Sequence, residues 1–146
     1  MTGQVLLFIF LLIATVLDIR SRRIPALLFV IFGAAGIIVR VFVIMDQSQS
    51  PSIMEALFGI MIGAVFIGIS LISDGKLGMG DAIAILVTGI YLTGSGTAFT
   101  VLYAMLLSAL FSIVLLALHK GTRKTELPFL PFLLAGFLSQ QIGELL

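Results

Sequence analysis

The sequence predicts an all-α integral membrane protein, a bundle of about six transmembrane helices, for two reasons. The first is composition: 60% of the 146 residues are hydrophobic and only 10% are charged, whereas soluble domains have roughly 25% charged residues. The second is that apolar residues form long unbroken runs, without the alternation typical of a membrane barrel. Because lipid tolerates only helices and closed barrels, these runs indicate a helical bundle. The chain length predicts one domain over residues 1–146.

Six apolar segments are candidates for the helices, since a spanning helix needs about 20 mostly apolar residues. Their approximate bounds are 2–17, 26–45, 53–73, 82–92, 98–118 and 128–142. The polar segment Asp18-Ile-Arg-Ser-Arg-Arg-Ile-Pro25 is predicted to be a loop, with Pro25 suited to the first turn of the second helix. The turn at residues 93–97 separates the short fourth segment from the fifth.

Basic residues are concentrated in the loops that follow the first, third and fifth predicted helices. Seven of the eight lie there: Arg20, Arg22, Arg23, Lys76, Lys120, Arg123 and Lys124. Because cytoplasmic loops carry the excess of Lys and Arg, we expect these loops in the cytoplasm and both termini outside a cytoplasmic (inner) membrane. The eighth, Arg40, falls within the second helix, where it can snorkel or pair with Asp46.

Composition also excludes several kinds of site. The chain has no cysteine, which excludes disulfides, a thiol nucleophile, iron–sulfur clusters and cysteine-ligated zinc. The single histidine, His119, is predicted to be an interfacial residue, and it cannot build a metal site without help from carboxylates. A net charge of +1 gives no indication of a nucleic-acid partner. Gly59 and Gly63 form a small-xxx-small pair, predicted to serve packing within the chain rather than a dimer interface.

Two of the seven acidic residues stand out by position. Asp18 and Asp81 each lie where an apolar helix meets a predicted cytoplasmic loop, so we expect both on the same face at similar depth. Acids within membrane proteins are costly unless they are paired or functional. The other five have a simpler interpretation as solvated residues or charge partners: Asp46, Glu55, Asp74, Glu126 and Glu144.

The predicted pair suits aspartic-protease chemistry. Two carboxylates held close together cannot easily both ionise, so one keeps its proton and the pair titrates as a unit. The ionised member can take a proton from water, and the protonated member can hydrogen-bond the developing oxyanion. Asp81 closes the segment Gly78-Met-Gly-Asp81, whose glycines permit unusual backbone geometry and the approach of an extended peptide.

These motifs together resemble the prepilin peptidase family of GxGD membrane aspartyl proteases. Family members carry an Asp before a basic loop and an Ile-Pro, matched by the segment from Asp18 to Pro25. They carry a second Asp in GxGD, matched by Gly78-Met-Gly-Asp81. Many also show Pro-Phe-x-Pro-Phe at the last helix, matched by Pro128-Phe-Leu-Pro-Phe132. The chain resembles the short members, which lack the cysteine-rich zinc-binding segment.

The resemblance implies an endopeptidase that cuts the leader from type IV prepilin or pseudopilin precursors at the cytoplasmic membrane face. It implies Asp18 and Asp81 as catalytic residues, without metal or cofactor. Gly78, Gly80, Pro25 and Lys76 would bind substrate or support the site. The precursor and the lipid bilayer are the expected partners, and the oligomeric state stays open.

Two departures from the family pattern keep alternatives open. Ala26 stands where the family commonly has Asn, and Ile83 stands where it commonly has Lys. A non-catalytic paralogue that binds pilin-like helices is therefore one alternative. A small proton- or ion-coupled transporter that uses Asp18 and Asp81 as ion sites is another, and it predicts acids near the midplane of the membrane.

Overall fold

A computed structural model describes residues 2–21, 23–45, 53–73, 77–118 and 127–145, and the regular structure in these ranges is entirely α-helical. The six helices are α1 (Thr2–Ser21), α2 (Ala26–Met45), α3 (Ile53–Ile72), α4 (Met79–Tyr91), α5 (Gly94–Ala117) and α6 (Leu130–Leu145). Helices α1, α2, α3 and α5 are long and apolar enough to cross a membrane, and α4 is a shorter apolar helix. The predicted all-α membrane fold is confirmed.

The predicted bounds are right for α2 and within one residue for α3, but the other four are wrong. Helix α1 does not stop at Asp18: it continues to Ser21, because nothing between them breaks a helix and the Ser21 hydroxyl donates to the Leu17 carbonyl. Helix α4 begins at Met79, so Asp81 lies in its first turn rather than in a loop.

Helix α5 begins at Gly94, where a turn was predicted over residues 93–97. The side chain of Thr93 accepts a hydrogen bond from the Gly96 N–H at 3.2 Å, which caps the helix start despite the two glycines. Helix α6 is displaced toward the C-terminus, at Leu130–Leu145. The predicted interfacial His119 and the possible Arg40 partner Asp46 lie outside the described residues.

Helix α4 lies at the centre of the bundle. It packs against α1, α2, α3 and α5, while α6 packs against α5 and α1. Seven of its 13 residues are buried, against two of the 20 in α2, so α4 is enclosed by protein where α2 is mostly exposed. The hydrophobic core extends from α4 to α1 and α6, and its fully buried members include Leu7, Phe10, Leu11, Ile85, Leu130 and Leu133.

Glycines bring α3 into direct contact with α4. A Cβ at Gly63 would overlap the backbone of Leu86, and Gly59 and Gly89 face one another so closely that a Cβ on either would overlap the other's carbonyl. Gly59 and Gly63 therefore serve packing within the chain, as predicted.

The helix directions define two ends of the bundle. The "aspartate end" is where α1 and α3 finish, at Ser21 and Ile72, and where α4 begins, at Met79; the "opposite end" is where α4 finishes, at Tyr91. At about 1.5 Å per residue, the 13 residues of α4 are about 20 Å long, shorter than a hydrocarbon core of about 30 Å. Neighbouring helices must therefore hold α4 at its depth.

Candidate active site

The two aspartates predicted to form a pair lie on adjacent helices at the aspartate end. Asp18 is in the last turn of α1, Asp81 is in the first turn of α4, and these helices pack together. Both side chains are half-buried. Asp81 precedes the apolar run of α4, and burial together with the nearby Asp18 carboxylate raises its pKa to about 6. The structure therefore brings the two acids within electrostatic reach of one another.

The backbone before Asp81 is shaped around its carboxylate. The Gly78 carbonyl accepts hydrogen bonds from the N–H groups of Asp81 and Ala82, at 3.1 and 3.2 Å, which starts α4 without a side-chain cap. A Cβ at Gly78 would lie 2.9 Å from Asp81 Oδ2. The carboxylate thus folds back over Gly78, and any larger residue there would press on it.

The other predicted site residues have different surroundings. Nothing lies within 4 Å of where a Cβ on Gly80 would stand, so crowding does not account for this glycine. Pro25 is exposed just before α2, and its carbonyl accepts from the Leu28 N–H at 3.0 Å. Lys76 lies outside the described residues. Ile83, at the position where the family commonly has Lys, packs against the hydrophobic core.

Two serines that sequence reasoning missed hold the segment leading into Gly78. Ser70 is buried, and its hydroxyl donates to the Leu77 carbonyl at 2.8 Å. The Ser73 hydroxyl accepts from the Leu77 N–H at 3.4 Å and donates to the Ser70 carbonyl at 3.3 Å. The signal available in the sequence was a pair of hydroxyl residues three apart at the end of an apolar helix, directly before a glycine-containing loop.

A third hydroxyl lies on α1 near Asp18. Thr15 is one turn before Asp18, and its buried Oγ1 has no hydrogen-bond partner within the part of the chain that the structure describes. Other helical hydroxyls in the described residues do bond to the carbonyl four residues earlier, as Thr88 does to Ala84 at 2.9 Å.

No group of three or more His, Cys, Asp or Glu side chains among the described residues could hold a metal ion. The described residues line two cavities at the opposite end of the bundle, away from both aspartates. The first, about 270 Å³, lies between α5 and α6 and is lined by Phe99, Tyr103 and Gln140 among others. The second, about 230 Å³, adjoins Gln4 and Arg40.

Comparison with known proteins assigns the family. The chain matches the model of the type IV leader peptidase family over residues 5–113, a range that includes both aspartate motifs and ends before Pro128. No curated protein and no solved structure matches the chain. Because the family match covers most of the sequence, and the all-helical membrane architecture agrees with the resemblance read from the motifs, the protein belongs to the type IV leader peptidase family, a family of proteases.

Proposed function

We propose that this protein is a membrane aspartyl endopeptidase with Asp18 and Asp81 as its catalytic pair. The observation that carries the proposal is that the Asp18 charge acts on the half-buried carboxyl of Asp81 where α1 meets α4. Family membership supports leader-peptidase activity. A pair of carboxyls with one raised pKa supplies both a proton acceptor and a proton donor near neutral pH.

The raised pKa suggests how the roles divide. Asp81, whose pKa is raised to about 6, is the member of the pair that keeps its proton, and we assign the ionised role to Asp18. The Asp18 carboxylate takes a proton from a water molecule, whose oxygen attacks the scissile carbonyl carbon, while Asp81 hydrogen-bonds the developing oxyanion. When the tetrahedral intermediate collapses, the C–N bond breaks and the amine leaves with the proton that was taken from water.

The substrate we propose is a type IV prepilin or pseudopilin precursor, cut just before its own apolar helix. We place the aspartate end at the cytoplasmic face of the inner membrane and both termini outside, because Arg20 and Arg23 lie at this end. Residues 1–146 would form a single peptidase domain. Asp18 and Asp81 would then meet the precursor where its leader enters the cytoplasm.

The supporting residues have distinct proposed roles. Gly78 leaves room for the Asp81 carboxylate, and the open space at Gly80 lets a substrate backbone come close. Pro25 fixes the start of α2 after the basic segment. Lys76, which lies outside the described residues, would contact the substrate.

The positions of the two acids favour a peptidase over the transporter alternative. A proton- or ion-coupled carrier places its acids near the midplane of the membrane. Asp18 and Asp81 lie in a terminal turn of their helices instead. This end position suits a cut at the membrane surface.

The test is cleavage of a type IV prepilin by the purified protein in detergent or liposomes. We expect D18N and D81N each to lower the rate about 100-fold or more, the scale of a lost general acid or base. Glu144→Gln is the matched control, because Glu144 is an exposed acid on α6, at the opposite end. Full processing by either aspartate variant would contradict the catalytic pair.

The same assay separates the enzyme from a non-catalytic paralogue. Ile83 is the residue that favours the paralogue, because a core-packed apolar side chain supplies no cation near the pair. Wild-type protein that binds prepilin in a pull-down but leaves it uncut would establish the paralogue. We expect cleavage by the wild type, and Ala26→Asn to leave it within a few-fold.

A further inference from the structure

Arg40 is the one basic residue that the sequence places inside a predicted helix span. A cation within a membrane is costly unless it has partners, and Arg40 is half-buried. Its Nη2 donates to the Leu92 carbonyl at 2.8 Å, across 52 residues of sequence. Glu55, in the first turn of α3, attracts it electrostatically. Arg40 thus joins three helices at the opposite end of the bundle.

Arg40 contacts the carbonyl oxygen of Leu92, which is the C-cap residue of α4. Leu92 follows the last residue of α4, and its N–H donates to the Thr88 carbonyl. The last carbonyls of a helix lack partners within the helix and carry partial negative charge. Leu92 is only 5% exposed, so this end of α4 is buried. A guanidinium supplies both the missing donor and the compensating charge.

Tyr91 provides a second connection between α4 and α2. Its hydroxyl donates to the Phe32 carbonyl at 2.7 Å. Its ring lies so close to Gly36 that a Cβ there would stand 2.8 Å from Tyr91 Cε2. Arg40 of α2 donates to the Leu92 carbonyl at the end of α4, and Tyr91 of α4 donates to the Phe32 carbonyl of α2. These two bonds therefore define how far α4 extends along α2. Glycine contacts with α3 set the separation of the helices but carry no such directional bond.

The other end of α4 carries Asp81 and has no side-chain cap. Asp81 is 11 residues before Leu92, about 16 Å along the helix. A shift of α4 along its axis would therefore move Asp81 relative to Asp18 on α1. We propose that Arg40 and Tyr91 are positioning residues: by fixing the Leu92 end of α4 against α2, they set where Asp81 lies beside Asp18.

A cross-linking experiment tests this placement without any need for activity. The chain has no native cysteine, so the D18C/D81C double variant carries a single thiol pair. Bifunctional thiol reagents of increasing length, applied in membranes, give the shortest spacer that joins positions 18 and 81. We expect Arg40→Gln and Tyr91→Phe, each introduced into the double variant, to require a longer spacer or to lower the yield several-fold. Arg40→Lys, which keeps a charged donor, should largely recover the parent pattern.

Tyr103→Phe is the matched control, because Tyr103 is 40% exposed on α5 and lines the cavity at the opposite end. It should match the parent. Parent-like spacer length and yield in both Arg40→Gln and Tyr91→Phe would overturn the proposal, as would an equal loss in the Tyr103→Phe control. If Arg40→Gln does not accumulate in the membrane, Tyr91→Phe decides it: a parent-like spacer length and yield would overturn the proposal, and a longer spacer or a several-fold lower yield would support it.

A second measurement, the kinetics of prepilin cleavage by the same variants, rests on the proposed function. Misplacement of about 1 Å can lower a rate about 100-fold, so we expect kcat for prepilin to fall about tenfold or more in Arg40→Gln, with KM nearly unchanged and partial rescue by Arg40→Lys. A wild type that fails to cleave would defeat the proposed function, and the cross-linking result would still decide the role of Arg40. An unchanged kcat in Arg40→Gln beside an active wild type would overturn the positioning role.

Discussion

The two helices that carry the aspartates are held in place by different means. Helix α1 has 20 residues, about 30 Å, which matches the hydrocarbon core of a bilayer. Helix α4 has 13 and is enclosed by four other helices. The membrane itself can set the depth of Asp18, whereas the depth of Asp81 depends on neighbouring side chains and backbone. The pair is therefore most sensitive to changes around α4.

This difference also appears in the contacts of each helix. Helix α1 contributes large apolar side chains to the core, including Leu7, Phe10 and Leu11. Helix α4 meets α3 through glycine at Gly59 and Gly63, with almost no space between the backbones. Close packing of this kind leaves little tolerance for added atoms.

The largest expected effect comes from filling the contact between α3 and α4. Gly63→Ala would place a methyl group onto the backbone of Leu86, so the two helices would have to separate. Overpacking usually costs about 1–3 kcal/mol, and a backbone contact belongs at the upper end. Unfolding of the purified protein by SDS, followed by circular dichroism, measures the loss.

Gly68→Ala is the control for that substitution, because Gly68 is on the same helix and nothing lies within 4 Å of its Cβ position. It should leave stability unchanged or slightly raised, since alanine favours a helix over glycine by about 1 kcal/mol. Equal stability of the two variants would contradict the close contact described for Gly63.

A smaller effect is expected from the ionisation of Asp81. Its pKa is about 6, raised from 3.8 first by burial and then by the Asp18 charge. Well below pH 3.8 the group is protonated whether the protein is folded or unfolded. As pH rises from 4 to 6 only the unfolded chain ionises fully, so folding loses stability, and above pH 6 the loss is complete.

The measurement is the difference between the thermal unfolding midpoints of the wild type and D81N, taken as wild type minus D81N, from pH 4 to 8. We expect this difference to fall between pH 4 and 6 and then to level off, with D81N the more stable of the two at pH 7. D18N should reduce the step without removing it, because burial is the larger cause of the raised pKa. A difference that stays flat across the range would show that Asp81 titrates as it does in water.

Local sequence patterns predicted part of the fold, whereas features that depend on individual hydrogen bonds or long-range contacts were missed. The all-α fold and the bounds of α2 follow from apolar runs and from Pro25, which are local features. The start of α5 was missed because Gly94 and Gly96 look like a turn, while the Thr93 cap that starts the helix is a single hydrogen bond. In the same way, Asp18 looked like a helix end only because it is charged.

The residues of the site likewise include some that the sequence could predict and others that it could not. Asp18 and Asp81 could be singled out from their positions at the ends of apolar segments, and the family motifs gave them an expected role. The bond from Arg40 to Leu92 joins residues 52 apart, and no pattern in a single sequence reports such a contact. Asp46 was a predicted partner for Arg40 only because it is close to Arg40 in the sequence.

The smallest effect we expect concerns the serines before α4. Ser70→Ala removes the hydrogen bond to the Leu77 carbonyl and leaves that carbonyl without its hydroxyl donor, at a net cost of about 1 kcal/mol. Ser139→Ala is the control, since its exposed hydroxyl bonds only to Ala135 in its own helix. SDS unfolding should distinguish the two variants. Equal stability of Ser70→Ala and Ser139→Ala would show that the bond from Ser70 to Leu77 does not help to hold α4 against α3. The position of α4 would then depend on the contacts at its Leu92 end alone.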